Sequence, residues 1–348
     1  MKSKIILITG NLGYVGVELV KFLKQKNKKL FIIGYDVGFY SKNFFQKIDN
    51  KKHVDYQIKS DVRDQKFENL KKFKIDTVIH LAAVSNDPMG SFFIRPTREI
   101  NTIYSKKLID WSKNHGVKKF IFASSCSVYG FSNKNCSEES RTNPLTEYAK
   151  SKLKIEKYLK KKFSSKFKAI ILRFSTACGA SSMLRLDLVL NDFVASAIAS
   201  KKIKILSDGK ALRPLIDVLD MAKAFYWADK YNLKNFLCIN VGNEKMNYRI
   251  VDLAYLVKKF LPNSKILINS KNIDNRSYRV NFSKFKSLFS GYKNMKGAKY
   301  SIAKLIYMLK KRNFKNKDFR SSNFMRLISL KNQIAKKKLN NNLKVLHD

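Results

Sequence analysis

Short, almost continuous apolar runs alternate with longer amphipathic stretches through the first half of the chain. The runs are KIILIT (4–9), LFIIGYD (30–36), VDYQIKSD (54–61), DTVIHLAA (76–83), KKFIFASS (118–125) and KAIILRFS (168–175). A strand with one wet face alternates apolar and polar residues, whereas most of these runs are apolar throughout, as strands buried on both faces are. Between several of them lie stretches with helical spacing, the first from about Tyr14 to Lys26. This order predicts an α/β fold, a parallel sheet with helices on both faces. After Cys178 the pattern loosens. LDLVLNDFVASAIAS (186–200) predicts a helix, and RPLIDV (213–218) and FLCINV (236–241) predict strands. A first domain over 1–178 and a smaller α/β domain over 179–348 are expected, with segments near 213–243 returning to the first. The end, KNQIAKKKLNNNLKVLHD, is basic and of low complexity, which predicts a fraying helix or a disordered tail from about 331.

Composition narrows the class. The 348 residues suffice for one large or two ordinary domains, and 45% are apolar, enough for a real core. No run of about 18 apolar residues predicts a membrane span. The opening MKSKIILITGNLG imitates a signal peptide, but its apolar run stops early in a glycine motif, so a cytoplasmic location is expected. Four cysteines without CxxC pairing and four histidines predict neither a metal site nor a disulfide framework. The net charge of +45 raises nucleic acid or an acidic membrane as partners. The lysines are scattered, however, and accompany abundant Asn, Ile, Phe and Tyr, the mark of A/T-rich coding. No specific nucleic-acid or membrane partner is expected, although the field would still attract an anionic substrate.

TGNLGYVG places Gly10, Gly13 and Gly16 between the first strand and the first helix, with Tyr14 and Val15 beside them. Such a turn lets backbone N–H groups approach a pyrophosphate, and the helix N-terminus adds roughly half a positive charge. Asp36 ends the second strand, where a carboxylate can accept from ribose hydroxyls and repel a 2′-phosphate. NAD is therefore expected over NADP. Asp61 and Val62, after the third strand, would flank the adenine.

TEYAKSK (146–152) sets Tyr148 and Lys152 one helical turn apart on one face. A free phenol titrates at about 10, so a base role near pH 7 needs that value lowered by about 3, worth about 4 kcal/mol. A neighbouring ammonium and an oxidised nicotinamide both act in that direction. FASSCSVYG (122–130) follows an apolar strand, and places Ser125 to hydrogen-bond a substrate hydroxyl and share its proton with Tyr148.

With these motifs in order, the chain resembles an extended short-chain dehydrogenase/reductase of the nucleotide-sugar epimerase/dehydratase family, UDP-glucose 4-epimerases among them. The matching stretches are TGNLGYVG, Asp36, HLAA (80–83), Asn101, SSCSVYG, YAKSK, LRFSTACG (172–179), RPLIDVLDMA (213–222), NVGN (240–243) and DNRSYRV (274–280). The resemblance implies a Rossmann-type doubly wound sheet with a smaller substrate domain, tightly held NAD and a homodimer. It implies that Leu81, Ala82 and Ala83 line the cofactor, that Asn101 stiffens the active-site helix near it, and that Ser125, Tyr148 and Lys152 are catalytic. Arg213 and Arg276 would grip the sugar nucleotide's diphosphate, a task suited to a planar guanidinium. Thr176 stands where the family has a substrate-binding Asn, Asp217 where it has a His, and Asn191 is a candidate substrate contact in a divergent segment. Sugar 4,6-dehydratases carry Asp-Glu directly after the catalytic Ser/Thr. Cys126 and Ser127 occupy those places here, and neither replaces a paired acid and carboxylate. The expectation is an NAD-dependent nucleotide-sugar epimerase. A keto-sugar reductase is the alternative within the family, and an inactive member binding RNA through its charge is the alternative of another class.

Overall fold

The computed structural model describes residues 3–41, 53–234, 236–271 and 277–346. The apolar runs of the first half are strands of one sheet: β1 (Ile5–Thr9), β2 (Phe31–Asp36), β3 (Tyr56–Lys59), β4 (Thr77–His80), β5 (Lys119–Ser125) and β7 (Lys168–Phe174). FLCINV supplies the seventh strand, β11 (Phe236–Val241). The order is β11-β7-β5-β4-β1-β2-β3 and every neighbour is parallel. This is a Rossmann-like doubly wound sheet.

Alternate residues of one strand feed two cores. Ile6 and Ile8 of β1 pack towards α1 (Tyr14–Lys26) and α7 (Val218–Lys230), through Leu19, Val20, Leu23 and Phe225. Leu7 faces the other way, towards Leu108 and Ile109 of α4 (Ser105–Asn114) and Ile155 and Leu159 of α5 (Glu147–Lys162). All three β1 residues are fully buried, which is why the strand carries no polar alternation. The short helices α2 (Asp87–Phe92) and α3 (Ile94–Arg98) lead into a π-helical turn at Glu99–Tyr104 before α4. Helix α5 starts at an N-cap, Thr146, whose hydroxyl accepts from Ala149 N at 3.1 Å. Its first turn holds Glu147 and its last holds Lys160, Lys161 and Lys162, charges that suit the helix dipole at each end.

A separate apolar core joins α6 (Val189–Ser200), α8 (Ile250–Phe260) and α10 (Ala298–Lys311), through Phe193, Leu253, Ile302 and Leu305. A parallel pair, β9 (Lys202–Ile205) with β13 (Lys265–Ile268), lies beside it. A three-stranded sheet of β8 (Thr176–Cys178), β10 (Leu212–Asp217) and β12 (Asn247–Arg249) borders the main one. The pair β6 (Asn135–Cys136) with β14 (Arg279–Val280) and helix α9 (Ser283–Leu288) complete the described elements before the C-terminal segment.

That segment corrects the expectation of a fraying or disordered tail. Helix α11 (Arg326–Ala335) is followed by a turn closed by a bridge between Leu339 and Val345. Leu330, Leu339 and Leu343 are buried against Met89, Phe93 and Ile100. The lysines between them point outward, and the apolar residues carry the docking. No helix among the described residues is long and apolar enough to cross a membrane.

Candidate active site

A cavity of about 860 Å³ runs along the carboxyl ends of the central strands. Its floor is the glycine turn. Gly10 has φ +77°, and a Cβ there would lie 2.7 Å from Ala82 N. At Gly16 a Cβ would come within 2.3 Å of Gly10 O. Gly13 meets only Gly10 O, at 3.2 Å, and is the N-cap of α1 without a side-chain cap. Two glycines thus fold the turn tightly and the third keeps the helix N-terminus bare, the form a pyrophosphate needs. Tyr14 and Val15 line the cavity, with the Tyr14 hydroxyl donating to Gly179 O at 2.7 Å.

Asp36 sits at one end. Its oxygens accept from Leu12 N at 3.0 Å and Gly38 N at 2.7 Å, and burial raises its pKa against those bonds. Asp61 and Val62 border the same end, but Asp61 is gripped by Arg63, whose Nη2 lies 2.7 Å from Oδ2. Leu81, Ala82 and Ala83 form a wall. Asn101 does not line the cavity. It is buried in the π-helical turn, accepts from Val84 N at 2.8 Å, and donates to Val84 O and Ser151 Oγ. Its amide therefore ties the loop after β4 to α5.

Ser125, Tyr148 and Lys152 converge at the other end. Ser125 ends β5, its hydroxyl accepts from Ser127 N at 3.2 Å, and it acts on the neighbouring Tyr148 phenol. Lys152 Nζ donates to Ala123 O at 2.7 Å and lies 5.6 Å from the Tyr148 ring centre. Gly90 of α2 lets the tyrosine in: a Cβ there would lie 2.8 Å from Tyr148 Cβ. The electrostatics differ from the expected acidification. Burial, then the Asp87 charge, push the phenol up to about 12, while Ser125 and Arg185 pull it down. Burial holds the Lys152 amine down to about 7, with Glu156 opposing. The protein's own groups keep the phenol protonated at neutral pH, and a cationic ring bound beside it would lower it.

The Lys152 amine carries a stability consequence. Between about 7 and its ordinary 10.5, the unfolded chain holds a proton that the folded chain has lost. Stability attributable to this group therefore rises with pH across that window, and at pH 7 burial of the amine is destabilising. Lys152→Met keeps the side-chain length and removes the charge. We expect it to gain roughly 2 kcal/mol in urea unfolding at pH 7, after the lost bond to Ala123 O is allowed for, and to show a shallower stability rise above pH 7. A variant no more stable than the wild type would refute this assignment.

The remaining expected residues divide. Thr176 and Arg213 line the cavity, with Tyr278 nearby; Arg213 donates to Leu212 O at 2.9 Å. Asn191 is corrected: it is fully buried and absent from the cavity wall, its amide bonding Gly179 N, Gly179 O and Arg185 O. An amide on a mostly apolar helix here holds a loop together and does not line the cavity. Asp217 likewise faces inward, capping α7 at Leu219 N and accepting from Ser301 Oγ at 2.6 Å; burial raises it to about 6. Arg276 lies outside the described residues. Cys126 is buried, its thiol donating to Arg173 O and pushed up by burial, which suits an inert core residue. Ser127 lines the cavity, and its hydroxyl has no hydrogen-bond partner among the described residues.

Four residues of the wall, Arg185, Arg326, Leu330 and Leu343, escaped the sequence reading. Arg185 chelates Asp187, with Nη2 at 2.8 Å, and reaches Ser85 Oγ; the Arg-x-Asp spacing was its signal. Arg326 stacks over the Tyr40 ring at 4.0 Å. Leu330 and Leu343 reach the cavity from the C-terminal segment, and the spacing of Leu327, Leu330 and Ile334 at i, i+3 and i+7 is a helical stripe that could have revealed it.

Comparison with known proteins agrees with this geometry. Residues 6–242 match the NAD dependent epimerase/dehydratase family. A putative UDP-glucose 4-epimerase of Methanocaldococcus jannaschii is 26% identical over 88% of this chain and 99% of its own. A dTDP-D-glucose 4,6-dehydratase of Dictyostelium discoideum is 30% identical over 63% of this chain and 54% of its own. The solved structure of a UDP-glucuronic acid 4-epimerase from Bacillus cereus, in complex with UDP-glucuronic acid and NAD, shares the fold with a TM-score of 0.76, at 22% identity over 88% of this chain and 99% of that one. With a glycine turn, a Ser-Tyr-Lys cluster and a family match over most of its length, the chain belongs to the NAD dependent epimerase/dehydratase family, whose members act with NAD on nucleotide-activated sugars.

Proposed function

We propose that the protein is an epimerase of a nucleotide-activated sugar, inverting the fourth sugar carbon through a transient keto-sugar. The observation that carries this reading is the cluster at the end of β5: Ser125, Tyr148 and Lys152 on one cavity wall, followed by Cys126 and Ser127 instead of two carboxylates. Gly10, Gly13, Gly16 and Asp36 would hold NAD, which supplies a reversible hydride acceptor when bound. Tyr148 takes the proton of the sugar hydroxyl, directly or through Ser125, and returns it after the keto group has turned over. Lys152 orients the nicotinamide ribose and, to the extent that it is protonated, favours the phenolate. Thr176 and Arg213 meet the diphosphate at the far end, and the positive field of the whole chain concentrates an anionic substrate there.

The neighbours of Ser125 weigh against dehydration. Cys126 is turned into the core, and Ser127 offers a hydroxyl that neither ionises nor donates strongly at neutral pH. Asp87, the charge that acts on Tyr148, is bound by Thr146 Oγ1 at 2.5 Å. A homodimer in the cytoplasm belongs to the same reading. The test is incubation of the NAD-loaded protein with UDP-, dTDP-, GDP- and CDP-hexoses, followed by NMR of the sugar and absorbance of the dinucleotide. One substrate is expected to give two epimers without net change in NADH. A keto-deoxy sugar product would make the protein a dehydratase, and stoichiometric NADH consumption with a keto-sugar nucleotide would make it a reductase.

A further inference from the structure

The C-terminal segment closes the cavity above Asp36 and the loop that follows it. Gln333 donates to Phe39 O at 2.9 Å. Arg63, clamped to Asp61, donates to Asn342 O at 2.6 Å and to Leu343 O at 2.7 Å. Lys344 pairs with Asp64 at 2.9 Å. These ties fasten both ends of the segment to the rim, with Leu330 and Leu343 in the cavity wall.

At the start of this strap, Arg326 is only 2% exposed, yet it borders the cavity. One face of its guanidinium stacks on Tyr40, four residues after Asp36. Its Nη2 makes a long bond, 3.4 Å, to Met183 O. Met183 lies in the loop that is clasped to the first residue of α1, where Ser181 Oγ donates to Tyr14 O at 3.0 Å. Arg326 therefore stands between the loop that follows β2 and the loop lying on the helix N-terminus, the two flanks of the glycine turn. Its Nη1 has no hydrogen-bond partner among the described residues. Burial and the Arg185 charge lower the guanidinium to about 10, so it remains cationic at neutral pH. The nearby carboxylates are already engaged, Asp187 by Arg185 and Asn86, Asp36 by Leu12 N and Gly38 N. A buried cation with an unanswered N–H on a ligand cavity calls for an anion from the ligand side.

Resting on the reading of this cleft as the NAD site, we propose that Arg326 donates to the pyrophosphate of the dinucleotide from the strap side, facing the glycine turn. The cofactor is then gripped by backbone N–H groups from one side and a guanidinium from the other, under a roof that must lift for it to leave. A resident, non-exchanging dinucleotide is what an epimerase needs, because it is regenerated in every cycle.

The experiment is calorimetric titration of the full-length protein, freed of nucleotide, with NAD, ADP-ribose and adenosine. Arg326→Met is expected to weaken NAD and ADP-ribose by roughly 10- to 100-fold and to leave adenosine unchanged, because only the first two carry the pyrophosphate. Arg326→Lys keeps the charge and tests the case in which the methionine variant fails to fold; it is expected to weaken the same two ligands by several-fold. NAD affinity within about twofold of wild type in a folded variant, or a parallel loss for adenosine, would overturn the role and leave the strap as packing only. Wild-type protein that binds NAD and epimerises a sugar while the variants bind NAD normally would sink Arg326 alone. Wild-type protein that binds neither NAD nor ADP-ribose would sink the cofactor reading as well.

Discussion

Tyr148→Phe is expected to reduce turnover by roughly a thousandfold while leaving NAD bound, the size of a lost general acid–base group. The substitution removes one oxygen. The ring keeps its seat against Gly90 and its place beside Lys152, and no atom of the glycine turn or of Asp36 is disturbed. Binding of the dinucleotide, read by mass spectrometry of material released on denaturation, should match wild type. What disappears is the phenol hydroxyl beside Ser125 on the cavity wall. The starting pKa of about 12 sharpens the expectation, because the phenol is a poor base until a positive ring lies beside it. Wild-type activity should thus depend on the cofactor being oxidised at the start of the cycle. Retention of more than about a tenth of the wild-type rate in the variant would remove Tyr148 from the chemistry.

Glu156→Gln is expected to cost about 3–5 kcal/mol of stability, the range for breaking a buried ion pair from one side. Glu156 and Arg173 are 5% and 7% exposed, with Nη2 to Oε2 at 2.7 Å and Nε at 3.1 Å from both oxygens. Ser124 Oγ adds a bond of 2.5 Å to the same carboxylate, and Arg173 Nη1 reaches the Tyr129 hydroxyl at 3.0 Å. Burial acts to lower the Arg173 guanidinium, and Glu156 overrides it. A neutral amide keeps the shape but leaves the cation unanswered. The same change withdraws the charge that props up Lys152 one turn away, so the amine should fall further below its already lowered value. Urea unfolding reads the first effect and the pH dependence of stability the second. A loss below about 1 kcal/mol would show that the pair is neutral in balance, as some buried pairs are against apolar replacements.

The sheet could be read from the chain because burial on both faces writes itself into continuous apolar runs, and six such runs became six neighbouring strands. The glycine turn was legible for a related reason: at Gly10 and Gly16 any Cβ meets backbone, so the residue type itself reports the geometry. Tyr148 and Lys152 share a face by helical spacing, but their proton affinities depend on burial by elements far along the chain, which spacing does not contain. Asn191 was placed at the ligand because a polar residue on a mostly apolar helix fits a ligand contact and a loop brace equally well. The strap was missed because its lysines outweigh three or four apolar positions in composition, while the docking depends on those few positions alone.

The bond between Arg63 and Leu343 joins residues 280 positions apart. A chain emerging from the ribosome can lay down the sheet and the glycine turn long before residue 343 exists, so the groove is born open-topped. Loop closure over so long a span comes late and slowly in folding. The nucleotide pool of the cell therefore has a period in which to load the groove during synthesis, before the lid is in place.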